Sequence, residues 1–287
     1  MQIITTKAEL EHCIQACKMK GQTIGLVPTM GALHEGHASL VRRCVSENDV
    51  TVVSVFVNPT QFNNKEDLVK YPRSLNRDAE LLDSIGAHFV FAPTPEEMYT
   101  AEEMNKPFSF DFGGLDSMME GAMRPGHFNG VVQVVSRLFY LVRPDRAYFG
   151  EKDFQQLAII RFMAERSTLA GTFGNLTIIG CPIVREASGL ALSSRNERLS
   201  AEEKQTALGI SRTLFASLKW AKEPGATVAA VQQRVADTIN AIAGLEVEYY
   251  QIVDQTTLLP TDTFDHAIGC VTVYCGPVRL IDNIKYT

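Results

Sequence analysis

Long apolar runs are missing from this 287-residue chain, and with them any helical segment able to span a bilayer, so no membrane partner is expected. The opening Met1-Gln2-Ile3-Ile4-Thr5-Thr6 has neither a basic cluster nor a signal-length apolar core, which points to a cytoplasmic location. Basic residues are in the minority, 27 against 33 acidic ones, and a formal charge of −6 disfavours a broad nucleic-acid surface. Cysteine is sparse and unpatterned: Cys13, Cys17, Cys44, Cys181, Cys270 and Cys275 form no Cys-x-x-Cys and no zinc-spaced cluster with histidine. They read as small buried hydrophobes in a reducing compartment. Also absent are a repeat, a low-complexity tract, a Gly-x-Ser-x-Gly elbow, a Walker lysine loop and a complete dinucleotide fingerprint. What is present, at 45% hydrophobic residues, is a cored globular chain long enough for two domains and suited to small-molecule chemistry.

One stretch organises the rest. Thr23 to Thr29 is a short apolar strand, Met30-Gly31-Ala32-Leu33 a glycine-bearing turn, and His34-Glu35-Gly36-His37 opens a helix continued by Leu40, Val41, Cys44 and Val45. Backbone N–H groups and the positive end of the helix dipole gather in that first turn, which suits an anion such as a nucleotide phosphate. Two ordinary surface histidines fit the same pair. A zinc-protease helix does not, because it needs its histidines four apart with an intervening Glu.

Around this stretch, strand and helix patterns alternate. Thr6 to Glu9 has capping-box spacing ahead of a helix through Leu10, Cys13, Ile14 and Cys17, and Val50 to Val57 is a β-branched run expected of a strand buried on both faces. Leu75, Ala79, Leu82 and Ile85 mark a helix ended by Gly86, before the strand His88 to Phe91. Val131 to Val142 is a helix stopped by Pro144, Arg146 to Phe149 a strand, Leu157, Ile160 and Ala164 a helix, and Leu176 to Ile179 a strand. Such alternation predicts a Rossmann-like, doubly wound parallel α/β sheet over residues 1–182. Tyr99 to Gly121 is less regular; a surface hairpin using Phe108, Phe110 and Phe112 is expected there, a mobile cover being the alternative. From residue 183 the pattern changes to two helices, the first opened by a capping box at Ser200 to Glu203, and three strands, Val247 to Val253, His266 to Tyr274 and Val278 to Ile284. Residues 183–287 are thus expected to form a smaller α+β domain, acting as a lid over the active site.

Ligands of open parallel sheets sit beyond the carboxyl ends of the strands, which selects four loops. Beside Pro28 to His37 there is Asn58-Pro59-Thr60-Gln61-Phe62, whose amides can donate to and accept from a small substrate, or simply form a solvated turn. Gly150-Glu151-Lys152-Asp153-Phe154-Gln155-Gln156 offers a lysine for phosphate and an aspartate that could support magnesium or cap a helix. Ser188 to Asn196 offers Ser193, Ser194 and Arg195, or else a polar linker. No covalent nucleophile stands out, so positioning and charge stabilisation of nucleotidyl or phosphoryl transfer is the chemistry expected.

These loops closely resemble the pantothenate synthetase family. The resemblance rests on Pro28 to His37, Phe56 to Phe62, Tyr71-Pro72-Arg73, Arg124-Pro125-Gly126-His127-Phe128, Phe149 to Gln156, Leu192 to Asn196 and the closing Arg279 to Asn283. It implies membership of the wider nucleotidylyltransferase group and a ligase that adenylates pantoate with ATP and passes the acyl group to β-alanine, with magnesium as cofactor and a homodimer as assembly. Carried over by motif, Met30, Gly31, Ala32, Leu33, His34, Glu35, Gly36 and His37 line the ATP site, completed by Gly150, Glu151, Lys152, Asp153, Val184, Leu192, Ser193, Ser194 and Arg195. His34, His37, Lys152, Ser193, Ser194 and Arg195 are the expected catalytic groups, Gln61, Gln156, Asn58 and Tyr71 the substrate contacts, and Asp153 the residue nearest magnesium, through ATP. Gln133 departs from the threonine expected of the family and puts contacts near His127 in question. A nucleotidyltransferase acting on a phosphorylated substrate, or a non-catalytic ATP-binding module, would share the His-x-Gly-His stretch.

Overall fold

The computed structural model describes residues 1–62, 65–106, 108–166 and 173–286. It divides into two compact units, Met1–Glu151 with Gln156–Cys181, and Lys152–Gln155 with Pro182–Thr287.

In the first unit, β1 (Gln2–Ile4), β2 (Ile24–Thr29), β3 (Val50–Val55), β4 (Phe89–Phe91), β5 (Arg146–Gly150) and β6 (Thr177–Cys181) form a parallel sheet in the order β1-β4-β3-β2-β5-β6. Both faces are covered, which explains the β-branched runs. Leu26 and Val52 point into one core with Leu10, Ile14, Val131 and Leu138, while Val27 and Val53 point into the other with Leu40, Val41 and Leu82. From β2 the chain winds outward through β3 to β4, then crosses back to lay β5 on the other edge of β2. The direction of winding therefore switches between β2 and β5, and a ligand crevice is expected beyond their carboxyl ends.

The helices fall where periodicity and caps put them, at Lys7–Met19, Glu35–Glu47, Leu75–Ile85, His127–Val142 and Phe154–Glu165. At Thr6 only half of the capping box forms. Its hydroxyl accepts from the Glu9 N–H, but the Glu9 carboxylate is drawn to the Gln2 amide and not to the Thr6 N–H; Glu97 separately accepts the Lys7 N–H.

The hairpin expected around Phe108 to Phe112 is not there: no strand forms among the described residues of 99–121, which carry short helices at Ala101–Asn105 and Met119–Met123. The Phe110 N–H goes to Asn129 Oδ1 at 3.0 Å rather than to a partner strand, and the Phe110 ring packs edge-on against Phe112 and Phe162. The alternating phenylalanines record packing on a helix, not pleating.

The second unit is an α+β layer, in which β7 (Leu245–Asp254), β8 (Ala267–Cys275) and β9 (Val278–Lys285) form an antiparallel sheet in sequence order. The Ala201–Trp220 helix, opened by a complete Ser200–Glu203 capping box, and the Val228–Asn240 helix cover it, with Leu208, Leu214, Val231, Val235, Val271 and Val273 in the core. Among the described residues no helix is long and apolar enough to cross a membrane, and all six cysteines are free thiols.

Candidate active site

At the end of β2 the chain must turn sharply into a helix, and buried side chains hold the turn. The Thr29 hydroxyl donates to Ser54 O at 2.6 Å and accepts from the Gly31 N–H at 3.2 Å. Gly31 and Ala32 both adopt positive φ, 80° and 51°; glycine takes that conformation freely, alanine at a cost of about 1 kcal/mol. What offsets that cost is Asp78, 2% exposed, whose two carboxylate oxygens accept the N–H groups of Ala32 and Leu33 at 2.9 and 2.8 Å. Those two N–H groups are thereby committed to the protein.

His34 is the N-cap of the next helix, an unusual residue for the role. Its Nδ1 accepts from the Gly36 N–H at 3.1 Å, and His37 Nδ1 accepts from the His34 N–H at 3.4 Å, with the two rings 4.1 Å apart. A ring nitrogen that accepts carries no proton, so in this arrangement the N–H of each ring is on Nε2. The helix start thus presents two Nε2–H donors at the positive end of the dipole, the polarity a phosphate oxygen requires. Glu35, by contrast, makes an exposed ion pair with Arg42.

The loop after β3 supplies an amide pair. Asn58 is 1% exposed, and its Oδ1 accepts from the Thr60 N–H at 3.4 Å and the Thr60 hydroxyl at 3.1 Å. Its Nδ2 donates to Gly130 O at 3.0 Å and Gln61 Oε1 at 3.1 Å, and Gln61 Nε2 in turn meets Met30 Sδ at 2.9 Å. Met30, just after β2, and Gln61, in the 3-10 turn Pro59–Gln61 that follows β3, are therefore neighbours. Tyr71 packs edge-on against Phe62, and buried His127 donates Nδ1–H to Gln61 O at 2.8 Å while its Nε2 takes Arg124 at 3.2 Å. Gly130 lets the His127–Val142 helix come this close, since a Cβ there would lie 2.5 Å from Thr60 O and 2.6 Å from Gln61 N. Gln133 is buried about one turn further along that helix.

Gly150 and Glu151 belong to the first unit at the end of β5, as does half-buried Gln156 on the following helix. The second unit carries Lys152, Asp153, Val184, Leu192, Ser193, Ser194 and Arg195. There Val184 and Leu192 are joined by a backbone hydrogen bond of 3.0 Å, and Ser193 caps the 3-10 turn Ser194–Arg198 by accepting the Arg195 N–H at 3.3 Å. Arg185, held bidentately by Asp282 at 2.6 and 2.8 Å, braces the base of this segment, and Asn283 Nδ2 donates to Lys152 O at 3.0 Å. Asp153 is exposed. Reasoning from motifs missed Asp78, Thr29, Arg185 and Tyr99.

A doubly wound sheet with a His-x-Gly-His helix terminus beside its switch point defines a nucleotide-binding α/β enzyme. A family profile described as pantoate-beta-alanine ligase matches residues 2–285. The pantothenate synthetase of Phocaeicola vulgatus is 58% identical over 100% of this chain and 99% of its own, and that of Bacteroides fragilis 56% identical over the same shares. Among solved structures, the pantothenate synthetase of Thermus thermophilus matches with a TM-score of 0.90 at 42% identity, covering 100% of this chain and 99% of that one. A pantoate-beta-alanine ligase from Francisella tularensis, complexed with beta-gamma ATP and beta-alanine, matches with a TM-score of 0.81 at 33% identity over 100% and 98%. The chain belongs to the pantoate–β-alanine ligase family.

Proposed function

We propose that this enzyme condenses pantoate with β-alanine at the expense of ATP, through a non-covalent pantoyl adenylate. The observation that carries the reading is the contact of Gln61 with Met30, which sets the Asn58–Gln61 amides against the turn that leads from β2 into the His34–His37 helix start. The helix start suits phosphate, the amides a hydroxylated acid.

In the first step a pantoate carboxylate oxygen attacks the α-phosphorus, and the bond to pyrophosphate breaks. Negative charge grows on the α-phosphate oxygens and on the leaving group, where His34, His37, Lys152, Ser193, Ser194 and Arg195 would act as donors. In the second, the neutral β-alanine amine attacks the acyl carbon, the carbon–oxygen bond to AMP breaks, and nitrogen releases a proton. Gln61, Gln156, Asn58 and Tyr71 are assigned to the acid substrate. Excluding water protects the mixed anhydride, a task assigned to the segment around Ser193.

Among the described residues no three His, Cys, Asp or Glu side chains cluster to hold a metal. Magnesium carried on ATP commonly takes one carboxylate and otherwise phosphate and water oxygens, and the exposed carboxylate of Asp153, next to Lys152, is the one assigned to it. The ion would neutralise phosphate charge. A homodimer in the cytoplasm completes the reading, supported by the resemblance and by six free thiols. Mass spectrometry of a reaction with ATP, magnesium, pantoate and β-alanine tests it. Pantothenate and AMP are expected, whereas a product retaining the nucleotide would point to a nucleotidyltransferase of another substrate.

A further inference from the structure

The amide pair beyond β3 has a fixed polarity, and the atoms that fix it can be traced. Backbone groups leave no choice at Asn58. The Thr60 N–H can only donate, so the atom it meets is Oδ1, and Gly130 O can only accept, so the atom facing it is Nδ2. Nδ2 also faces Gln61, which must answer with Oε1 and turn Nε2 toward Met30. Behind Asn58, the Tyr99 hydroxyl donates to Oδ1 at 2.9 Å, the shortest of the three hydrogen bonds to that oxygen.

Tyr99 is itself tightly held. It is 2% exposed, its ring lies 6.3 Å from Phe56, and the Arg137 guanidinium sits 5.0 Å above its centroid, anchored by Glu103 and by Met98 O. Burial pushes the phenol up to about 12, so it remains a donor throughout the neutral range.

We propose that Tyr99 is a positioning residue that holds the Asn58–Gln61 pair, its polarity already set by the Thr60 N–H and Gly130 O, at the place from which Gln61 offers its N–H to an acceptor oxygen of the acid substrate. The inference rests on the reading that Gln61 seats pantoate. The thioether of Met30 is a weak acceptor, so a substrate oxygen displaces it readily from Nε2. Without the Tyr99 hydroxyl, Asn58 keeps its polarity from the Thr60 N–H and Gly130 O but loses the shortest hydrogen bond to Oδ1; the pair loosens, and Gln61 Nε2 is held less firmly toward the substrate atom.

The test is steady-state kinetics on Tyr99→Phe, Gln61→Ala and the double variant, with pantoate and ATP varied separately. Tyr99→Phe is expected to raise the KM for pantoate about tenfold, the worth of one neutral hydrogen bond, and to leave the KM for ATP within about twofold. In the Gln61→Ala background the same substitution should add nothing, because Tyr99 acts through Gln61. Equal rises for pantoate and ATP, an undiminished effect in that background, or an unchanged pantoate KM would each overturn the proposal. Gln61→Ala alone separates the two levels: if it leaves the pantoate KM unchanged, the seating of pantoate falls and the inference with it. Should Tyr99→Phe fold poorly, Thr60→Ala, which removes another donor to the same oxygen, must raise the pantoate KM selectively for the proposal to stand.

Discussion

Asp78 illustrates how much one side chain can hold. Its carboxylate fastens two N–H groups of a turn whose residues Gly31 and Ala32 sit at positive φ, just before the histidine pair. Asp78→Ala strands those groups at about 1–3 kcal/mol each, so a midpoint shift in urea unfolding and a fall in turnover are expected together. Asp78→Asn, which keeps one acceptor, should lie between. The residue was readable in principle, since it falls on the apolar stripe of Leu75, Ala79 and Leu82, where a carboxylate must have a partner. Its partners lie 45 and 46 residues upstream, and periodicity cannot name them. The histidines were legible because their neighbours in sequence are also their neighbours in space. His37→Ala and Lys152→Ala are expected to lower kcat by about a hundredfold or more with circular dichroism unchanged, as for loss of a transition-state donor.

Glu103 gives a residue-level prediction in pH. Arg137, and then the Thr100 N–H, hold its carboxyl at about 2 against an ordinary 4.5. A depressed carboxyl stabilises the fold fully above its unfolded value and loses that contribution as pH falls through the folded one. Stability should therefore decline between pH 4.5 and about 2, and Glu103→Gln should flatten that limb in acid-unfolding curves. An unaltered limb would place the acid sensitivity elsewhere.

Among the elements, the close approach of the His127–Val142 helix to the loop after β3 is the most exacting contact. Gly130→Ala would normally favour a helix by about 1 kcal/mol, but here the new Cβ meets Thr60 and Gln61 backbone at 2.5 to 2.6 Å. Overpacking of that kind costs about 1–3 kcal/mol, so the clash outweighs the propensity. A lowered melting temperature with a raised pantoate KM is the expected outcome. The helix itself was legible from its valine spacing, as were the parallel strands from their β-branched runs. What misled was Phe108 to Phe112, where period-two spacing arose without a strand because the rings of Phe110 and Phe112 pack together, Phe110 rests on Phe162, and the backbone bonds to a side chain. Alternation identifies a strand only when a partner strand exists, and sequence does not show partners.

At the scale of the whole chain, the first unit holds a parallel sheet covered on both faces, and the second, which takes up the chain from Pro182, a three-stranded antiparallel layer. The short run Lys152–Gln155 groups with the second unit although it follows β5 directly, a long-range association held in part by Asn283 that no local signal announces. The central claim is that adenylation of an acid precedes formation of the amide. Isotope exchange between labelled pyrophosphate and ATP, with magnesium present, tests it most directly. The account predicts exchange that requires pantoate and proceeds without β-alanine; no exchange with pantoate, or exchange only once β-alanine is added, would contradict it.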